Sequence, residues 1–399
     1  MSMRIKVNKA GKKILALAVL LSILGGYFMF SSKPQSCEGV VEDEKVSCVK
    51  ENIDKYIEKR NISEALKYLD DYQKSTPIIS GDCHGLAHYI GESAVDLYRD
   101  GVEILDADSA GVCQYGYYHA FMAALVRDKE FDKARLFCER LYSKHKGVVE
   151  ACYHGIGHGA VLTFVEERGL STMHAVVAEG RVLCDTVMEG AEEKVYWCLD
   201  GIYGGLLDVS TADLYANFEV LETPFDLCLD EREEFKEICY LSLSTVVGAL
   251  SRDETPEPGE SEINMENIFA KVLSSNKIEN KETAIYGLAL FYMVDKGNQG
   301  LTFEAKDIDY CRALPGVYNT ACLKGMVHAV LVYPPFGEHF EAAKAVCMND
   351  YLTVGEKKVC LGHVISKLRG FYSVEEALLI CDTLEDPQKS ECTGLYGKN

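Results

Sequence analysis

The sequence predicts an all-α protein. It reads as an array of disulfide-stapled antiparallel helical hairpins, an α-solenoid that stays open or closes toward an α/α ring, placed after an N-terminal membrane anchor. Three observations carry this reading. Cysteines recur in pairs at short, nearly constant spacing, apolar residues recur at intervals of three and four around them, and the first 30 residues join basic and apolar character without a single acid.

The N-terminal segment, residues 1–30, comes first. Arg4, Lys6, Lys9, Lys12 and Lys13 precede an apolar run of 17 residues from Ile14 to Phe30, close to the length that crosses a bilayer. Bulky residues follow where a signal peptidase needs small ones, which favours an uncleaved anchor over a cleaved signal peptide. The basic flank holds the N-terminus in the cytoplasm and sends everything after Phe30 outside, to a cell surface, periplasm or secretory lumen. The membrane is thus the first expected partner. Setting the five basic residues aside, the overall charge of -21 becomes -26 on the remainder. Such a chain repels phosphate backbones, so nucleic acid is not an expected partner.

Residues 31–82 read as a lead-in: a loop between Cys37 and Cys48, then the helices "KENIDKYIEKR" and "SEALKYLDDYQK". Asn61-Ile62-Ser63 is a glycosylation sequon, but an asparagine just before a helix is more simply its cap.

Repeats occupy residues 83–251 and 263–399. Sixteen cysteines, an even number, point in an exported chain to disulfides before metal. Cys37 and Cys48, Cys228 and Cys239, Cys311 and Cys322, and Cys381 and Cys392 stand 11 apart. Cys347 and Cys360 stand 13 apart, Cys138 and Cys152 and likewise Cys184 and Cys198 stand 14 apart, and Cys83 and Cys113 are left as a pair 30 apart. Around each pair the pattern repeats: "FDKARLFCERL" leads to "ACYHGIGHGAVLTF", "FEAAKAVCMND" to "VCLGHVISKL", and "VEEALLICDTL" to "ECTGLYG". In an antiparallel hairpin the end of one helix lies beside the start of the next, where the cysteines stand. A bridge there contributes about 3 kcal/mol through the unfolded state.

A finer signature, Cys-x-x-Gly, opens the second helices at Cys113, Cys152, Cys198 and Cys322, and Ala284 with Gly287 takes the same place in a unit without cysteines. Glycine weakens a helix by roughly 1 kcal/mol relative to alanine, so its recurrence implies backbones that approach closely. Between the two blocks, "RDETPEPGESE" at 252–262 is an acidic, proline-containing loop.

This arrangement resembles the cysteine-rich helical-hairpin repeats of the tetratricopeptide superfamily, in which a helix ending A-x-x-x-x-C is bridged to one opening C-x-x-x-G. The resemblance covers residues from about 114 to 399, with longer and more variable loops here. It implies a secreted α-solenoid that binds partners rather than one that catalyses a reaction.

Histidines carry the candidate chemistry. His84, His88, His119, His154 and His158 fall in the opening turns of three successive second helices. Residues four apart share a helix face, so His84 with His88, and His154 with His158, are each able to clasp one metal ion. His119, His158 and His328 each stand six residues after their cysteine, which gives them equivalent places in the array; His328 joins the others only if the array is closed or strongly curved. Glu92 extends the first stripe by a turn and is the candidate general base for a metal-activated water. Nitrogen donors in this number suit Zn, Cu or Fe. The competing reading is that these histidines are packing residues beside glycines. The tyrosines Tyr89, Tyr115, Tyr117, Tyr118 and Tyr153 line a polar pocket or form the half-buried edge of the array.

"DCHG" at Asp82–Gly85 and "WCLDG" at Trp197–Gly201 are similar, in reversed order, to the zinc motifs of lanthionine-forming cyclases, whose fold is a ring of helical hairpins. "GIGHGA" at Gly155–Ala160 matches a dinucleotide fingerprint in letters only, because no strand precedes it. Besides metal binding, the expectations are a scaffold for a protein, peptide or envelope glycan, or an anchored assembly factor with an acidic surface.

Overall fold

The computed structural model describes residues 36–397 except 38, 76, 103, 105–111, 114, 142–145, 169–172, 208–222, 252–262, 299–302 and 333–337. The expected anchor and the acidic loop therefore lie outside the described residues. No helix among those described is long and apolar enough to cross a membrane. The chain divides into two compact units, residues 1–55 and 56–399.

In the first unit, Cys37 is bridged to Cys48, and the Asn52 amide donates to Cys37 Sγ at 3.4 Å. Helix α1 (Glu42–Glu58) starts ahead of Cys48, so this cysteine lies inside a helix rather than at the end of a loop.

The second unit begins with α2 (Ile62–Ser75), α3 (Pro77–Arg99), α4 (Gly116–Arg127), α5 (Phe131–Arg140), α6 (Lys146–Arg168), α7 (Met173–Val187) and α8 (Glu192–Gly205). It continues with the single turn α9 (Thr223–Asp226), then α10 (Glu233–Leu250), α11 (Met265–Ser274), α12 (Lys281–Asn298), α13 (Ala305–Arg312) and α14 (Val317–Val332). The last elements are α15 (His339–Cys347), α16 (Val354–Lys367), a 3-10 turn at Leu368–Gly370, α17 (Val374–Asp382) and α18 (Gln388–Tyr396). No strand occurs among the described residues.

Local sequence explains the helix boundaries. Asn61 accepts from the Glu64 backbone N–H at 3.1 Å, so the sequon asparagine caps α2. Thr353 with Glu356 and Ser373 with Glu376 form reciprocal capping boxes at the starts of α16 and α17. Spacing then decides which face is buried: α2 buries Ile62, Ala65, Leu66 and Leu69, an i, i+3, i+4, i+7 stripe.

All eight expected disulfides form, and no described cysteine is free. They point to an oxidising, extracytoplasmic compartment. The α11–α12 hairpin has no bridge, as its Ala284 implies.

Two layers result. Helices α3, α4, α6, α8, α10, α12, α14 and α16 form an inner layer in which each packs on the next, including α10 on α12 although residues 252–262 separate them in sequence. Their partners in the hairpins lie outside. Curvature brings α12, the sixth inner helix, against α3, the first, and the 3-10 turn after α16, the eighth, against α6, the third. The array therefore comes round after five steps and winds on.

Glycine makes such winding possible. A Cβ at Gly201 would overlap the carbonyl oxygen of His154, and one at Gly325 would overlap that of Tyr286. The second helices touch backbone to backbone at these points, as the Cys-x-x-Gly signature implies.

One buried ion pair joins α12 to α13. Lys296, 2% exposed, reaches both oxygens of Asp307, 0% exposed, at 2.9 Å. The Tyr292 hydroxyl donates to the same carboxylate at 2.9 Å and the Glu304 backbone N–H at 2.7 Å. Every charge is met by a partner, which burial requires.

Candidate metal centre

The five N-terminal histidines converge. His84 and His88 come from α3, His119 from α4, and His154 and His158 from α6, all on inner helices that pack in succession. The His119 ring lies 4.5 Å from that of His88, 4.2 Å from His158 and 4.7 Å from His154, centroid to centroid. His84, His88 and His119 bring one ligand atom each to within 4.8 Å of one another, and so do His119, His154 and His158.

Hydrogen bonds orient the outer rings. His84 Nδ1 donates to the Cys113 carbonyl at 2.9 Å, where Cys113 holds a left-handed φ of 54° ahead of α4. His154 Nδ1 donates to Asp200 Oδ2 at 2.7 Å, and Asp200 Oδ1 stands 2.5 Å from the Ser242 hydroxyl. In His84 this fixes the proton on Nδ1 and leaves the Nε2 lone pair free to coordinate; in His154 the carboxylate orients the ring as a supporting carboxylate orients a ligand. Gly204 gives His154 its room, since a Cβ there would stand 3.3 Å from the ring.

Burial keeps four of the five imidazoles neutral. It pulls His84, His119 and His158 below the ordinary histidine value, and His88 to about 3, with neighbouring imidazoles adding to the effect. Neutral imidazoles have lone pairs to offer. At the centre, His119 Nδ1 lies 3.2 Å from His88 Nε2, while His119 Nε2 is buried without a hydrogen-bond partner. A buried polar nitrogen left so costs about 1–3 kcal/mol.

Other expectations are corrected. Glu92 is exposed and belongs to neither group of ligand atoms. Each step of four residues overshoots a full helical turn by about 40°, so two steps from His84 turn the stripe off the buried face. His328 does not join the N-terminal histidines: its Nδ1 lies 2.5 Å from the Tyr286 hydroxyl, which lies 3.3 Å from His363 Nε2. Tyr286 can donate to one ring and accept from the other, so that trio is satisfied internally. Cys83 and Cys198, the cysteines of the cyclase-like motifs, are both in disulfides and have no thiolate to offer a metal. Tyr117, Tyr118 and Tyr153 are fully buried core residues rather than a half-buried edge.

The C-terminal histidines make a pH prediction that no metal complicates. Burial, with Lys367 adding to it, lowers His328 and holds His363 at about 3, and burial holds His339 at about 4. Below 6.5 the unfolded chain therefore takes up protons that the folded chain refuses. Stability is complete above that value and falls as pH drops toward 3. Denaturant midpoints at pH 7 and pH 4 check this, and equal midpoints would refute it.

Fold and site together define an all-α, disulfide-stapled helical-hairpin protein that gathers five imidazoles from three successive inner helices. Comparison with protein-family models, curated proteins and solved structures finds no match. Resemblance to tetratricopeptide-type repeats thus rests on the repeat arrangement alone.

Proposed function

We propose that this protein binds a transition metal, Zn, Cu or Fe, through His84, His88, His119, His154 and His158, in an extracytoplasmic compartment. The observation that carries the reading is the unpartnered His119 Nε2, buried among four other imidazoles. Neutral nitrogen donors of this kind suit those three metals better than Mg or Ca, which prefer oxygen. His154 and Asp200 keep 22% and 19% exposure at their side chains, which would give an ion access from solvent.

Elemental analysis of the full-length, disulfide-intact chain tests the proposal, beside a variant with His84, His88, His154 and His158 changed to alanine. Metal in the parent and none in the folded variant supports it. No metal in the parent after reconstitution with each of the three ions sinks it, and leaves the histidines as packing residues.

Asp200 is a positioning residue in this scheme. Asp200→Asn keeps the size but loses the charge that holds the His154 proton on Nδ1, and should weaken metal affinity about 10–100-fold. Titration against a competing chelator measures the change. Unaltered affinity would mean that His154 is not a ligand.

A further inference from the structure

Resting on the metal-binding reading, we infer that the site holds two ions, with His119 as the bridge between them. The five imidazoles do not form one group of ligand atoms but two groups of three, and His119 is the member common to both. Its two nitrogens have different neighbours. Nδ1 faces His88 Nε2 at 3.2 Å, which places it with His84 and His88. Nε2 is the buried nitrogen without a partner, on a ring whose other neighbours are His158 and His154.

The two lone-pair directions of an imidazole diverge, so one ion cannot use both. Two ions can. The 3.2 Å separation of His88 Nε2 and His119 Nδ1 also suits a shared ion, because two nitrogens on a tetrahedral metal with bonds of about 2.0–2.1 Å stand about 3.3 Å apart. Each ion then receives three nitrogens: His84, His88 and His119 Nδ1 for the first, His119 Nε2, His154 and His158 for the second.

Proton and charge balance follow. Neutral His119 carries one ring proton; when the second ion binds, a metal–nitrogen bond replaces that N–H bond and the proton leaves to solvent. The resulting imidazolate carries one negative charge. Asp200, hydrogen-bonded to His154, supplies another beside the second ion. Together they offset half the charge of two divalent ions.

The test uses Cu(II) added stepwise to the metal-free, full-length, disulfide-intact protein, in a glycine buffer that holds copper off surface carboxylates. Paramagnetic resonance is recorded at each addition. The bridge predicts a signal that grows to one equivalent and is then extinguished by the second, as the two spins couple through the imidazolate. His154→Ala should retain one equivalent with an undiminished signal, and His119→Ala should abolish the coupling. Saturation at a single equivalent with full signal, or two equivalents with simply additive signals, overturns the bridge and leaves the metal reading intact. Failure to retain any copper, with zinc and iron also refused, overturns both.

Discussion

Gly201→Ala should destabilise the folded protein by about 3 kcal/mol and strip it of metal, although alanine is the better helix former by roughly 1 kcal/mol. The added methyl would overlap the His154 carbonyl oxygen, and its neighbours include the His154 carbonyl carbon and the His158 backbone nitrogen. Backbone has no rotamer with which to give way. Relief can come only from moving α8 off α6, which also draws Asp200 away from His154. Gly362→Ala in α16 is the control, since a Cβ there meets nothing within 4 Å. It should stabilise by roughly 0.5–1 kcal/mol through the backbone entropy that glycine loses on folding. Denaturant midpoints and metal content measure both variants. Equal behaviour of the two would show that the seam between α6 and α8 is not close-packed.

Asp307→Ala should cost about 3–5 kcal/mol, because it leaves the Lys296 ammonium buried and unpaired. Three donors lose their acceptor at once: Lys296 Nζ, the Tyr292 hydroxyl and the Glu304 N–H. The effect belongs to the stranded charge more than to the lost contacts. Adding Lys296→Met to Asp307→Ala should therefore recover part of the stability. Losses that simply add would show that the two groups are not coupled.

Much of the fold is legible in the sequence, because hairpins are local. Pairs of cysteines 11 to 14 apart, with apolar residues at helical spacing, specify each unit without reference to the rest. Winding is not local. Contact between α3 and α12 depends on small rotations accumulated over five seams, and no single residue records them. His328 shows the consequence: it has the same phase as His119 and His158, yet stands four helices further along the winding than His158 and meets Tyr286 and His363 instead.

The site divides in the same way. Its histidines are legible because a rare residue recurs at fixed phase. Asp200 and Ser242, which orient His154, are common surface-type residues and carry no such mark. One signal was present: Tyr115, His154, Asp200 and Tyr286 each stand two residues after the position of the second cysteine, so in these four repeats the same place carries a side chain that bonds to a neighbouring element.

Consider last where the covalent bridges fall. Seven disulfides close single hairpins or tie Cys37 to α1, but Cys83–Cys113 joins α3 to the entrance of α4, two neighbours of the inner layer. In mechanical terms the molecule is a string of rigid links with soft joints. One joint, between the helices that bear His84, His88 and His119, is welded; the next, toward His154 and His158, is held by packing alone. Load along the chain would part the histidines at that second joint and leave the first three together.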